Sequence, residues 1–311
     1  MKILILGAGG IGGYYGGRLA QAGADVSFLV RPRRREQLEC DGLVVESPIG
    51  NIKLPVKTVL AAELGPGYDI VLFTCKAYDL DSAMDAVAPA MKGSTALVPL
   101  LNGLAHFEPL DARFGAANVM GGTAHINVML RADGVIVHGD ALQNMLFGER
   151  DRTKSERALA LDELTRRAKI GGGLSEDIGQ DLWEKMVFLC ALASTTCLFR
   201  GNVGEIVGAP GGQEAMRRAL AANTAIATAE GRAPRPNALQ RFNERLTDPE
   251  GLWSASMLRD LEGGGRVEAD HIVGWMLERA RRHGLDDTIL SIAYTHLKTY
   301  ERRREAGRLP R

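Results

Sequence analysis

The sequence is short of cysteine, of net charge and of long uncharged stretches, and each shortage removes a class of function. Its 311 residues include four cysteines, Cys40, Cys75, Cys190 and Cys197. None forms a CxxC pair or lies in a His-rich cluster, so neither a disulfide framework nor a structural zinc site is indicated, and no metal is expected. The four read as buried thiols. Lysine plus arginine equals aspartate plus glutamate at 38 each, a formal net charge of zero. No overall field therefore favours nucleic acid, an anionic membrane or an acidic partner. No uncharged run reaches the ~20 residues of a bilayer span, and the first apolar stretch lacks the flanks of a signal peptide. The expectation is a soluble, cytoplasmic protein with neither a nucleic-acid nor a membrane partner. Internal repeats and low-complexity tracts are also missing, and the length, with 45% hydrophobic residues, suffices for two domains with substantial cores.

The informative segment is the N-terminus. An apolar run, Ile3-Leu4-Ile5-Leu6, breaks into Gly7-Ala8-Gly9-Gly10-Ile11-Gly12. A strand feeding a glycine-rich turn and then a helix binds a dinucleotide: Gly7 permits the tight turn, Gly9 lets the backbone approach a pyrophosphate, and Gly12 lets the helix pack on the strand. The second strand, Val26–Val30, ends at Arg31, where an NAD-binding fold usually has Asp or Glu for the ribose hydroxyls. A carboxylate would repel a ribose 2′-phosphate, whereas a guanidinium suits that dianion, so the cofactor is expected to be NADP(H). The neighbouring Arg34 and Arg35 read as a solvated helix start.

Further along, Leu43–Glu46 and Ile52–Leu54 flank a Pro48–Asn51 turn and predict an antiparallel hairpin. Ile70–Thr74 and Thr95–Val98 are continuous apolar runs, as expected of parallel strands buried on both faces, with a helix between them from about Asp79 to Ala90. Short strands are predicted around Asn118–Met120, Thr123–Leu130, Val135–Val137 and Asn144–Phe147, then a charged helix at Lys154–Lys169. From about Gly179 the period becomes 3.6, with helices predicted near Leu182–Leu198, Gln213–Glu230, Ala238–Leu246, Ala269–His283 and Thr288–Ala306. Gly171-Gly172-Gly173 is the natural boundary. The fold class is α/β: a Rossmann-type NADP-binding domain over residues 1–173, then an all-helical domain over 174–311. The arginines of the C-terminal tail read as a solvated helix end.

Five other residues could carry chemistry. Lys76 follows an apolar strand at the edge where open α/β sheets place ligands; it is either a phosphate or ribose contact or a plain surface lysine. Asn102-Gly103 follows the next strand at the same edge, or is simply a turn. Lys185 shares a helical stripe with Leu189, Leu192, Ala193 and Thr196, and no charge occurs from Met186 to Phe199. Partial desolvation would lower its pKa and suit it to act as a general acid; the alternative is a lysine snorkelling from the end of a core helix. Glu268 precedes an apolar helix and could serve the helix dipole, while Ser256 could be an N-cap or a ligand donor.

These residues, in this order, resemble the ketopantoate reductase (2-dehydropantoate 2-reductase) family. The likeness runs nearly end to end, through Gly7–Gly12, Arg31, Lys76, Asn102-Gly103, Leu182-Trp183-Glu184-Lys185, Val203-Gly204-Glu205, and Ser256–Asp260 with Glu268. It implies reduction of a 2-oxo acid by NADPH between a Rossmann-type and a helical domain, with ketopantoate and pantothenate biosynthesis as the family's substrate and pathway. By that resemblance Gly7, Ala8, Gly9, Gly10, Ile11 and Gly12 contact the cofactor, Arg31 and Lys76 hold its 2′-phosphate end, and Asn102 lies near the nicotinamide and Lys185. Lys185 would be the general acid, Ser256 a substrate-binding hydroxyl, and Glu268 a partner for Lys185 or for the substrate. One departure stands out: where the family usually has asparagines, this chain has Leu189, Ala193 and Val203, although Asn202 is adjacent. A more apolar 2-oxo acid is therefore a second expectation, and an NADP-binding redox sensor without turnover a third. A helical second domain is compatible with a monomer or a homodimer.

Overall fold

A computed structural model of the protein describes residues 1–309, which form two compact units. The first comprises Met1–Leu101 and His106–Gly179; the second comprises Asn102–Ala105 and the described residues from Gln180 onward. The first unit opens with β1 (Lys2–Leu6), α1 (Gly10–Gln21), β2 (Asp25–Leu29), α2 (Pro32–Asp41), β3 (Leu43–Glu46), β4 (Ile52–Leu54), β5 (Lys57–Val59), β6 (Ile70–Phe73), α3 (Leu80–Val87) and β7 (Ala96–Pro99). Five of these strands form a wholly parallel sheet in the order β5-β2-β1-β6-β7. The apolar runs are continuous because the sheet is buried on both sides: Ile3, Ile5, Ile70 and Leu72 enter one core, and Leu4, Val71 and Phe73 enter another.

After α4 (Phe107–Phe114) come β8 (Gly121–Leu130), β9 (Ile136–Gly148), α5 (Glu156–Arg167) and β10 (Gly171–Leu174). With β3 and β4 they make a second, mixed sheet that includes the expected antiparallel pairing of β3 with β4. Three expectations need correction. Asn118–Met120 is not a strand but the end of a 3₁₀ turn with one isolated bridge, Leu97 to Val119. The two short strands predicted between Val135 and Phe147 are one long β9, whose pattern was hidden because residues 139–142 are exposed where the register against β8 shifts. The glycine triplet does not mark the boundary but makes most of β10, paired with β9. Glycine is needed there because a β-carbon on Gly172 would lie 2.6 Å from the Met145 carbonyl oxygen. The division between units accordingly falls between Gly179 and Gln180, not after Gly173.

The second unit contains α6 (Ile178–Phe199), which starts just before it, then α7 (Val203–Gly208), α8 (Gly212–Ala229), α9 (Pro236–Leu246), α10 (Ser256–Glu262), a π turn (Asp270–Gly274), α11 (Trp275–Arg282) and α12 (Thr288–Glu305). α6 is long and apolar enough to cross a membrane, yet 67% of its apolar window is buried inside the protein. Cys190 and Cys197 are buried as expected, but Cys75 is half-buried and Cys40 exposed, since α2 buries only Leu38.

α1 lies close on the first unit's strands because it carries glycine where other helices carry side chains. β-Carbons on Gly13, Gly16 and Gly17 would lie 2.2 Å from Ile136, 2.6 Å from Phe28 and 2.8 Å from Leu43. Each glycine costs the helix about 1 kcal/mol relative to alanine, offset here by the burial of Tyr14, Tyr15 and Leu19 on the same helix. At Gly12 the added carbon would sit 2.4 Å from both the Gly7 carbonyl oxygen and the Thr74 hydroxyl. Gly12→Ala is expected to destabilise the protein by roughly 1–3 kcal/mol in thermal or denaturant unfolding. Gly65→Ala, where nothing lies within 4 Å, should stay within about 0.5 kcal/mol of the parent.

Candidate active site

The turn between β1 and α1 uses its glycines in different ways. Gly7 has φ 84°, and its N–H donates to the Leu29 carbonyl at 2.8 Å, tying the turn to β2. Gly9 is the N-cap of α1, and a β-carbon there would meet nothing within 4 Å, so that side of the turn is open. Gly10 rests against Val128, Ile11 is half-buried against the core, and Ala8 is buried. The first turn of α1 has neither a side-chain cap nor an acidic residue, leaving its N–H groups and the positive end of its dipole for an anion. A dinucleotide pyrophosphate fits this cradle.

Arg31 caps α2 immediately past β2, with its side chain exposed. Lys76 lies half-buried at the start of the 3₁₀ turn that follows β6. Because β2, β1 and β6 are consecutive in the sheet, Arg31, the glycine turn and Lys76 share its carboxyl edge. Arg34 corrects the reading of a solvated helix start. Its Nε donates to the Ala8 carbonyl at 3.1 Å and its Nη1 to the Gly134 carbonyl at 3.0 Å, so it braces the glycine turn against the β8–β9 connection. Arg35 keeps that reading, paired with Glu39 and Glu63 at 2.9 and 2.7 Å.

In the second unit Lys185 stands on α6. Burial strips water from its ammonium and lowers the pKa from 10.5 to about 8, while attraction to Glu268 opposes the fall. Glu268 is 4% exposed and sits just before the π turn. That turn is the meeting point of several parts: Cys190 Sγ on α6 lies 4.0 Å from the Ile272 carbonyl oxygen, and a β-carbon on Gly103, at φ 83°, would lie 2.6 Å from that of His271. The Asn102-Gly103 turn is thus seated on the segment that carries Glu268. Ser256 is the first residue of α10 and not its N-cap, which is Ala255. The Ala255 N–H donates to Thr196 Oγ1 at 3.4 Å, about three helical turns beyond Lys185. The structure therefore groups Lys185, Glu268 and the Asn102 turn, and sets Ser256 beside a later stretch of α6.

The side chains at the departures from the family pattern offer few hydrogen bonds. Ala193 and Val203 are fully buried and Leu189 partly so. The hydroxyls of Ser194, Thr195 and Thr196 all donate back to α6 carbonyls, at 3.1, 2.7 and 2.7 Å. Asn202 accepts from the Glu205 N–H at 2.9 Å in a capping box, so its oxygen is committed to starting α7.

Sequence reasoning passed over the residue next to Lys185. Glu184 is 6% exposed, and its carboxylate accepts from the Arg235 N–H and Nε at 2.8 and 2.7 Å and from Gln180 at 3.2 Å. Arg235 also pairs with Asp181. The cluster pins the start of α9 to α6 one residue from the candidate acid. Its only trace in the sequence was a carboxylate beside Lys185 on an otherwise apolar helix.

The model of the family described as ketopantoate reductase PanE/ApbA matches residues 3–152, and that of its C-terminal domain matches residues 177–301. The chain belongs to the ketopantoate reductase family. An uncharacterized oxidoreductase of Bacillus subtilis, YkpB, is 36% identical over 302 residues, covering 97% of this chain and 99% of its own. The crystal structure of 2-dehydropantoate 2-reductase from Geobacter metallireducens is 28% identical with a TM-score of 0.87, covering 96% of this chain and 99% of its own. A ternary structure of D-mandelate dehydrogenase with NADH and anilino(oxo)acetate shares the fold at a TM-score of 0.85 and 19% identity, covering 98% of this chain and 100% of its own. The protein is an oxidoreductase with a Rossmann-like first unit and a helical second unit.

Burial alone would raise the Glu184 pKa, but the Arg235 hydrogen bonds hold it below its ordinary 4.5. A carboxyl depressed in the folded state contributes stability that is present above pH 4.5 and lost as pH falls through the lowered value. Arg235→Ala should therefore cost roughly 1–3 kcal/mol near neutral pH, reduced from the fully buried case because Arg235 is half-exposed, and should flatten the acid limb of a stability–pH curve.

Proposed function

We propose that the protein reduces a 2-oxo acid to the 2-hydroxy acid with NADPH, and that Lys185 is the proton donor. The observation that carries this reading is the Lys185 ammonium, desolvated yet held by the buried Glu268. The cofactor, when bound, supplies the hydride. As hydride reaches the ketone carbon, negative charge grows on the carbonyl oxygen, and an ammonium already fixed beside it stabilises that charge and then gives up a proton. A pKa of about 8 leaves Lys185 mostly protonated at neutral pH but a far better donor than an ordinary lysine. In this reading Glu268 keeps the lysine charged and oriented, Asn102 helps position the substrate beside it, and Ser256 offers a hydroxyl to the substrate.

For the cofactor, Arg31 at the end of β2 supports NADPH over NADH, with Lys76 as a second cation, and Arg34 holds the turn that receives the pyrophosphate. A cytoplasmic location and a free small-molecule substrate go with this chemistry. Ketopantoate is the first substrate reading, on family grounds. A second, an acid with a more apolar side chain, is favoured by Leu189, Ala193 and Val203 and by the self-satisfied hydroxyls of α6. A pocket without hydrogen-bonding side chains gains nothing from a substrate hydroxyl.

Lys185→Ala should lower kcat/KM for reduction by about 10²–10⁴-fold with the best substrate. In the parent, kcat/KM for reduction should be level below about pH 8 and fall tenfold per unit above it, because the protonated amine is the active form. The reverse oxidation should rise through the same pH. Glu268→Gln, which removes the charge that raises the lysine pKa, should move both breakpoints to lower pH. A panel of 2-oxo acids separates the two substrate readings: if kcat/KM for ketopantoate lies far below that for an aryl or branched alkyl 2-oxo acid, the first is wrong. At equal concentrations, NADPH should raise Tm more than NADH.

A further inference from the structure

The second unit also holds a cavity that the proposed reaction does not use. It has a volume of about 560 Å³, and its walls include Arg200, Leu261, Glu262, His296, Thr299 and Arg303. Small-molecule sites are commonly of this size. Arg200 follows the last residue of α6, about 22 Å along the helix from Lys185.

Two features of the wall ask for a ligand. His296 Nε2 is buried with no hydrogen-bond partner. Burial, and then the neighbouring Arg200 charge, push the His296 pKa below its ordinary 6.5, so the ring is neutral near pH 7. A buried ring nitrogen without a partner forgoes the hydrogen bond that a ligand could restore. Arg200 is the second feature. Its backbone has φ 58°, a conformation that favours glycine, yet the position carries a long cation whose closest carboxylate contact, Glu262, is 3.6 Å away. Other polar groups nearby are engaged: the Tyr300 hydroxyl donates to the Gly265 carbonyl at 2.8 Å, Arg304 Nε to that of Gly264 at 2.9 Å, and one nitrogen of Arg303, Nη2, to that of Arg308 at 3.2 Å. Among the lining side chains two guanidiniums face one carboxylate, an excess of a single positive charge.

We propose that this cavity binds a small hydroxy-monocarboxylate, with its carboxylate against Arg200 and Arg303, its hydroxyl on His296 Nε2, and its aliphatic body on Leu261. One negative charge matches the excess on the walls. A hydroxyl both donates and accepts, so it satisfies Nε2 in either tautomer of the ring. The assignment is independent of the reaction at Lys185.

The test follows the ring resonances of His296, assigned with His296→Gln, in ¹⁵N-labelled protein titrated separately with 2-hydroxyisovalerate, isovalerate and isovaleramide at millimolar concentrations. The hydroxy acid should shift Nε2, the plain acid should bind about tenfold more weakly, and the amide should have no effect. Arg200→Gly removes the cation while relieving the left-handed backbone. It should weaken the hydroxy acid at least about tenfold, with Tm kept or raised and NADPH oxidation unchanged. The proposal is overturned if the ring does not respond, if the amide acts like the acids, if Arg200→Gly binds as the parent does, or if soaked crystals show only a water on Nε2.

Discussion

An ammonium removed from water is held at a cost, and in the second unit that cost falls on one side chain of α6. Desolvation drives the Lys185 pKa down towards neutrality, and the carboxylate of Glu268 keeps it from falling further. Had the carboxylate been absent, the amine would give up its proton more readily still; had the desolvation been absent, it would hold its proton too firmly to give it away. The surroundings can be understood as what keeps this balance. Glu184 and Arg235 fix α6 beside the lysine, the π turn holds the segment that bears Glu268, and the Asn102 turn lies against that same segment.

The first unit meets a different constraint, that of bringing a helix terminus close to a strand end without a side chain between them. Glycines along α1 remove the obstruction at Phe28, Leu43 and Ile136, and Gly12 removes it at the turn itself. The open side at Gly9 and the uncapped N–H groups of α1 follow from the same sparing use of side chains.

Much of this was legible in the sequence, and the parts that were not share a cause. The glycine turn, Arg31, the doubly buried strands and Lys185 announce themselves through local pattern: a fixed spacing, an unbroken apolar run, a lone charge on an apolar helix. What escaped depends on partners distant in the chain. Arg34 looked like solvated charge because its acceptors, Ala8 and Gly134, are 26 and 100 residues away. Gly171–Gly173 looked like a domain boundary because glycine marks both flexibility and close approach, and only the neighbouring β9 tells the two apart. α7 and α10 are too short for a 3.6-residue period to register. Glu184 gave no hint of Arg235, and the local pattern of Asn102-Gly103 read equally as a turn, so that only the family resemblance placed it near Lys185.

The π turn at Asp270–Gly274 has a geometric consequence for everything after it. It holds one residue more than an α-helical turn would, seen in the Gly274 N–H bonding back to Ala269 instead of Asp270. Removing a single residue there would restore the ordinary winding but swing α11 by about 100° about its axis. Trp275, Met276 and Leu277 would then face directions they do not face now, while Glu268 stayed where it is. The extra residue acts as a phase shifter, letting one continuous stretch of chain point a carboxylate one way and an apolar face another.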